Sequence, residues 1–246
     1  MKYSWRGIYI EMKVHLVTRV IQHNPYCGFS FYVNELLGSE HYNKWEFNAK
    51  NYYEFGVGEG ISLFNYLKGL KYYCSSHKVD ISKYNIFLFD SFEGLPEYKD
   101  QKNENPAWSR GMFSSSTDYI KKIIQRVCGD DQPKVTFING YYEMTLTSRL
   151  REKLLNFPPS IVNIDVDYYE STRIVLNWIY TILQNGTIFH FDDLYEYLGS
   201  PYKGEFLAIS EFNELHKVEK SLLFPFNGFG ISQLNNTIYS FTRNNK

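Results

Sequence analysis

From Tyr52 onward the apolar and polar positions follow two alternating rhythms. Short apolar runs at Tyr53–Val57, Asn85–Phe89, Val135–Ile138, Ile161–Ile164, Thr187–Phe191 and Thr237–Phe241 read as strands. Between them apolar residues recur at helical spacing. Leu63, Phe64, Leu67 and Leu70 form one such face, and Ile120, Ile123, Ile124 and Val127 form another behind Ser115-x-x-Asp118, which has the form of a capping box. Val175, Trp178, Ile179 and Ile182 mark a helix over Ser171–Leu183, closed by Gly186 as a left-handed stop, and Glu205–Leu215 is the last predicted helix. Several strand runs are continuous rather than alternating, as expected when helices cover both faces of a parallel sheet. Strands alternating with helices over about 190 residues predict an open, doubly wound α/β fold. The first 50 residues lack a clean strand pattern and read as short helices and loops, a segment 1–50 preceding a main domain 51–246.

Composition narrows the function. The 246 residues carry 26 Lys+Arg against 27 Asp+Glu, a formal charge of −1, which argues against a partner made of nucleic-acid phosphates. At 43% hydrophobic and 18% aromatic the chain can bury a full core, and disorder is not expected. No apolar run approaches the roughly 20 residues that span a bilayer. Glu11 and Lys13 interrupt the stretch a signal peptide would need, so a cytoplasmic protein without membrane attachment is expected. Cys27, Cys74 and Cys128 have neither metal nor disulfide spacing and read as reduced, partly buried thiols.

In doubly wound folds ligands sit beyond the carboxyl ends of the strands, and three strand ends here carry chemistry. Glu54-Phe55-Gly56-Val57-Gly58-Glu59-Gly60 is a glycine turn of the kind that lets backbone approach a ligand. Glu59 falls at the helix start, where a pyrophosphate would be repelled and a ligand with an ammonium and a sulfonium would be suited. Asp90, at the end of the second run, can accept hydrogen bonds from ribose hydroxyls, or serve as a turn or cap. The third site is Asp165 and Asp167 after one strand with Asp192 and Asp193 after the next. Four converging carboxylates would repel one another unless a cation lay among them, and oxygen-only ligands favour Mg²⁺, Ca²⁺ or Mn²⁺. His190, inside an apolar run, reads as a hydrogen-bonded core histidine.

Taken in order, Tyr53–Gly60 (YEFGVGEG), Phe89–Pro96 (FDSFEGLP), Ile164–Thr172 (IDVDYYEST) and Phe191–Leu194 (FDDL) resemble the motif series of the macrocin O-methyltransferase family. Asn139–Leu146 and Gly204–Phe212 are similar to two further family segments, and the likeness covers about residues 50–215. The resemblance implies the class I methyltransferase variant of the Rossmann-like sheet, with helices on both faces and an N-terminal helical extension. It implies S-adenosylmethionine held at Glu54, Gly56, Gly58, Gly60, Asp90, Ser91 and Tyr141, and Mg²⁺ or another hard divalent cation held by Asp165, Asp192 and Asp193. The implied reaction is methyl transfer to a hydroxyl of a sugar or glycoside. Asp165 would be ligand and base, with Asp167 the alternative base. Two departures stand out: Asn185-Gly186 replaces the family's Gly-Gly, and Tyr168-Tyr169-Glu170 replaces its Leu-Tyr-Glu. An NAD-dependent oxidoreductase and a non-catalytic cofactor-binding module are the alternatives, and the reading leaves room for a homo-oligomer. The first 50 residues are expected to close over the acceptor.

Overall fold

The computed structural model describes residues 25–98, 100–225 and 238–243. Its centre is a seven-stranded sheet of β1 (Asn51–Phe55), β2 (Asn85–Asp90), β3 (Lys134–Asn139), β4 (Ile161–Ile164), β5 (Ile188–Phe191), β6 (Ser221–Pro225) and β7 (Ile238–Arg243). The spatial order is β3-β2-β1-β4-β5-β7-β6. β1 to β5 run parallel, while β7 is antiparallel to both β5 and β6. Chain order reverses beside β1, which has β2 on one side and β4 on the other, and that switch point opens a crevice beyond the strand ends.

Among the described residues eight helices surround the sheet: α1 (Pro25–Leu37), α2 (Glu40–Asn43), α3 (Ile61–His77), α4 (Thr117–Cys128), α5 (Tyr142–Thr145), α6 (Ser148–Leu154), α7 (Tyr169–Ile179) and α8 (Gly204–Leu215). The two-residue period of each strand divides the core into two layers. Tyr52, Ile86, Leu88, Ile161 and Ile188 face Leu63, Leu67 and Ile120 of α3 and α4. Tyr53, Phe55, Phe87, Phe89, Val162, Ile164, Phe189 and Phe191 face Val175, Trp178, Ile179 and Phe212 of α7 and α8. Every residue of β1, β4 and β5 is buried, whereas the edge strand β3 alternates between exposed and half-buried positions. The same period sends Glu54, Asn163 and His190 toward the α3 face. There His190 Nδ1 lies 2.7 Å from Asn163 Oδ1, and burial lowers its pKa to about 4. It is the core histidine expected.

Several boundaries move. β1 ends at Phe55 rather than Val57, because the backbone turns at Gly56 (φ 80°). The cap of α4 is Ser116, whose side chain accepts the Tyr119 N–H at 3.2 Å, rather than Ser115. α7 starts at Tyr169 and gives way to a 3-10 turn at Tyr180–Ile182. β6, α5 and α6 carry no pattern long enough to be read in the sequence. Cys74 and Cys128 are buried free thiols, and the Cys27 side chain lies outside the described residues.

In the preceding segment, α1 packs on the outer side of α3. Ser30 Oγ donates to Tyr66 O at 2.9 Å, and Glu35 Oε1 lies 3.1 Å from His77 Nε2. Residues 1–24, half of the segment expected to close over the acceptor, lie outside the described residues. Among the described residues no helix is long and apolar enough to cross a membrane.

Candidate active site

The ends of β1, β2, β4 and β5 and the loop between β2 and α4 enclose a cavity of about 580 Å³. Its floor is the glycine turn. An added Cβ at Gly56 would stand 1.6 Å from the Asp165 carbonyl oxygen, so only glycine lets the end of β1 lie against the end of β4. Gly58 lines the cavity; Gly60 does not. Gly60 is instead the left-handed start of α3 (φ 74°), packed under the side chains of Ile120 and Ile123. Glu54 is also off the cavity. It is fully buried beneath the turn, accepts the Tyr52 hydroxyl at 2.7 Å, and has its pKa raised to about 8 by burial.

Asp90 holds the turn from the side. Its Oδ2 accepts the Val57 and Gly58 N–H groups at 2.6 and 2.9 Å, and its Oδ1 accepts Phe92 N–H at 2.6 Å. A carboxylate offers about four lone-pair sites, so capacity remains for a ligand hydroxyl. Ser91 and Tyr141 line the cavity beside it, and the exposed Glu59 sits at its edge.

Opposite lies the acidic cluster. Asp165, Asp167 and Asp193 each bring one carboxylate oxygen to within 4.8 Å of the others. Asp192 lines the same cavity but is exposed and lies outside this group. The backbone is bent to make the cluster: Tyr168 N–H bonds to Val166 O at 2.6 Å across Asp167, which is held at φ 62°. A non-glycine residue in that region carries strain of about 1–3 kcal/mol and persists only when its surroundings impose it. Here Asp167 N–H donates to Asp193 Oδ2, and Asp193 N–H donates to Glu205 Oε2, both at 3.0 Å. Glu205 is buried at the start of α8, and among the described residues its Oε1 has no hydrogen-bond partner.

Charge is concentrated accordingly. Burial first, then the charges of Asp193, Asp192 and Asp167, hold Asp165 well above the ordinary carboxylate range. Burial and then the charges of Asp167 and Asp192 do the same to Asp193. Asp167 is pushed up to about 7 by burial, then by Asp192 and Glu196. Burial also raises Glu205, with Asp193 and Asp165 adding to the shift. Three hard oxygen donors in mutual reach, uncomfortable as anions on their own, fit a divalent cation of the Mg²⁺ type.

The cavity therefore gathers Gly56, Gly58, Asp90, Ser91, Tyr141, Asp165, Asp167, Asp192 and Asp193 of the residues singled out in the sequence, and leaves Glu54 and Gly60 as supports. Sequence reasoning missed Glu205, Tyr98 and Trp108. Glu205 sits among ordinary helix residues, and the two aromatics lie in a loop without periodicity.

Comparison with known proteins bears on the family and the fold. The family model described as macrocin O-methyltransferase (TylF) matches residues 71–224, more than half of the chain. Among solved structures, CalS11, a calicheamicin methyltransferase, shares 18% identity over 99% of this chain and 94% of its own, with a TM-score of 0.58. The O-methyltransferase NovP shares 16% identity over 87% of this chain and 78% of its own, with a TM-score of 0.55. Comparison with curated proteins finds no match. The family match removes the nicotinamide alternative. With the sheet order and cavity already described, it leads to one assignment: the chain belongs to the macrocin O-methyltransferase family and is an O-methyltransferase.

Proposed function

We propose that the chain transfers a methyl group from S-adenosylmethionine to a hydroxyl of a sugar or glycoside, assisted by a hard divalent cation. The observation that carries this reading is the meeting, in one cavity, of a glycine turn at the end of β1 with three converging carboxylates. Gly56 and Gly58 bring backbone close to the donor, the remaining capacity of Asp90 takes a ribose hydroxyl, and Ser91 and Tyr141 flank the nucleoside. The exposed carboxylate of Glu59 suits the donor's ammonium group. When bound, the donor supplies an electrophilic methyl on a positively charged sulfur. Asp165, Asp167 and Asp193 would hold the cation, which when bound lowers the pKa of an acceptor hydroxyl and fixes its direction.

The remaining work is positioning and proton removal. Methyl transfer needs the acceptor oxygen in line with the leaving sulfur, so holding both partners accounts for most of the catalysis. The hydroxyl must lose its proton as the new C–O bond forms. Asp165 takes that proton, with Asp167 the second carboxylate within the same group. Transfer of labelled methyl from S-adenosylmethionine to sugar acceptors, compared between the wild type and Asp165→Asn, tests the assignment. A folded Asp165→Asn protein that still binds S-adenosylhomocysteine should lose at least about 100-fold in kcat. Wild-type turnover in that protein would remove Asp165 from the role.

A further inference from the structure

One wall of the cavity has no part in the reaction described so far. Trp108, in the loop between β2 and α4, lines it with a half-buried indole. That ring is fixed by edge-on contacts with two buried tyrosines, Tyr168 (centroids 5.4 Å apart, planes at 86°) and Tyr197 (5.5 Å, 85°). Tyr98 lines the same wall, meets Tyr168 edge-on at 5.3 Å, and donates its hydroxyl to Glu143 Oε1 at 2.6 Å. Tyr168 directly follows Asp167, so this aromatic group and the carboxylate cluster share a backbone.

The loop that carries Trp108 is anchored rather than loose. Asn103 is buried, accepts the Glu170 N–H through Oδ1 at 2.9 Å, and through its carbonyl accepts the Tyr197 hydroxyl at 3.3 Å. Asn105 Nδ2 donates to Glu196 O at 3.5 Å. Glu143 and Glu196 are thus tied to the aromatic wall, one through Tyr98 and the other through Asn105, and both line the cavity.

The charge around the wall is one-sided. Among the described lining residues eight are Asp or Glu and none is Lys, Arg or His. A divalent cation and the net single charge of a sulfonium donor would offset three of those formal negative charges, leaving an acidic surround. An aromatic face takes the apolar C–H face of a sugar ring and attracts a cation, while nearby carboxylates in a confined site repel phosphate.

On the methyl-transfer reading, and deepening it, we infer that this wall is the acceptor subsite: Trp108 and Tyr98 form the sugar platform, and Glu143 and Glu196 select a neutral or amine-bearing glycoside over an acceptor carrying phosphate. Calorimetry on the full chain, with S-adenosylhomocysteine and Mg²⁺ present, tests this with three derivatives of one deoxyhexose: the methyl glycoside, its amino-substituted counterpart and the nucleoside diphosphate ester. Both glycosides should bind at least about tenfold more tightly than the diphosphate ester, with the gap narrowing as salt is raised. Trp108→Ala should weaken glycoside binding about tenfold while S-adenosylhomocysteine still binds, and Trp108→Phe should recover most of the loss. Glu143→Gln combined with Glu196→Gln should narrow the gap between glycosides and ester. Equal or tighter binding of the ester, glycoside affinity indifferent to Trp108, or no binding of any of the three overturns the subsite. Failure of the wild type to bind S-adenosylhomocysteine would instead count against the methyl-transfer reading itself.

Discussion

Gly56 and Asp167 carry the site at the scale of single residues, and both do so through backbone conformations that ordinary residues resist. Gly56 at φ 80° leaves room for the Asp165 carbonyl, and Asp167 at φ 62° swings its carboxylate toward Asp165 and Asp193. The glycine was legible in the sequence because glycines cluster in a turn after a strand. The role of Asp167 was legible only in part: two aspartates two apart point together on a strand, but this pair lies past the strand end, where a tight turn and not the pleat sets direction. Gly56→Ala should be strained by about 1–3 kcal/mol before any clash is counted, at about 2–4 °C of melting temperature per kcal/mol. Because the new methyl group must displace the Asp165 backbone, methyl transfer should fall further than stability does. Thermal denaturation and an activity assay on the same preparation separate the two effects.

The elements that sequence pattern predicted well are those whose burial is one-sided or complete over several residues. α4 shows its apolar stripe because only one face is covered, and β4 and β5 read as largely apolar runs, interrupted only by Asn163 and His190, because helices cover both faces. α5 and α6, of 4 and 7 residues, are too short to display a helical period, and β6 alternates between buried and exposed residues over only 5 positions. Capping gives a sharp test at this scale, since two neighbouring serines offer the same chemistry and only one is used. Ser116→Ala should cost about 1 kcal/mol of stability, whereas Ser115→Ala should stay within about 0.5 kcal/mol. Chemical denaturation of both variants checks the pair.

For the whole molecule, the sheet gathers carboxylates from several strand ends into one cavity and so links stability to pH and to metal. An acid whose pKa is raised by folding binds more protons folded than unfolded, so stability falls as pH climbs from the unfolded value to the folded one, and stays low above it. For Asp167 that window closes at about 7 and for Glu54 at about 8, both starting from ordinary carboxylate values. In EDTA the protein should therefore melt at a higher temperature near about pH 5.5 than near about pH 8.5. Added Mg²⁺ should restore stability mainly at the alkaline end, where the carboxylates are free to bind it. Much of this architecture was legible from the alternation of strands and helices. Convergence on Glu205 was not, because α8 reaches the cluster only through the three-dimensional path of the chain.

The measurement that bears most directly on the carboxylate cluster is methyl transfer to a sugar acceptor in the presence of EDTA, followed by titration with Mg²⁺ or Mn²⁺. Activity should disappear with the chelator and return with the cation, and Asp167→Asn and Asp193→Asn should each need at least about tenfold more metal for half-maximal rate. Full turnover in EDTA, by a wild-type protein that binds S-adenosylhomocysteine, would contradict a role for Asp165, Asp167 and Asp193 in holding a catalytic ion.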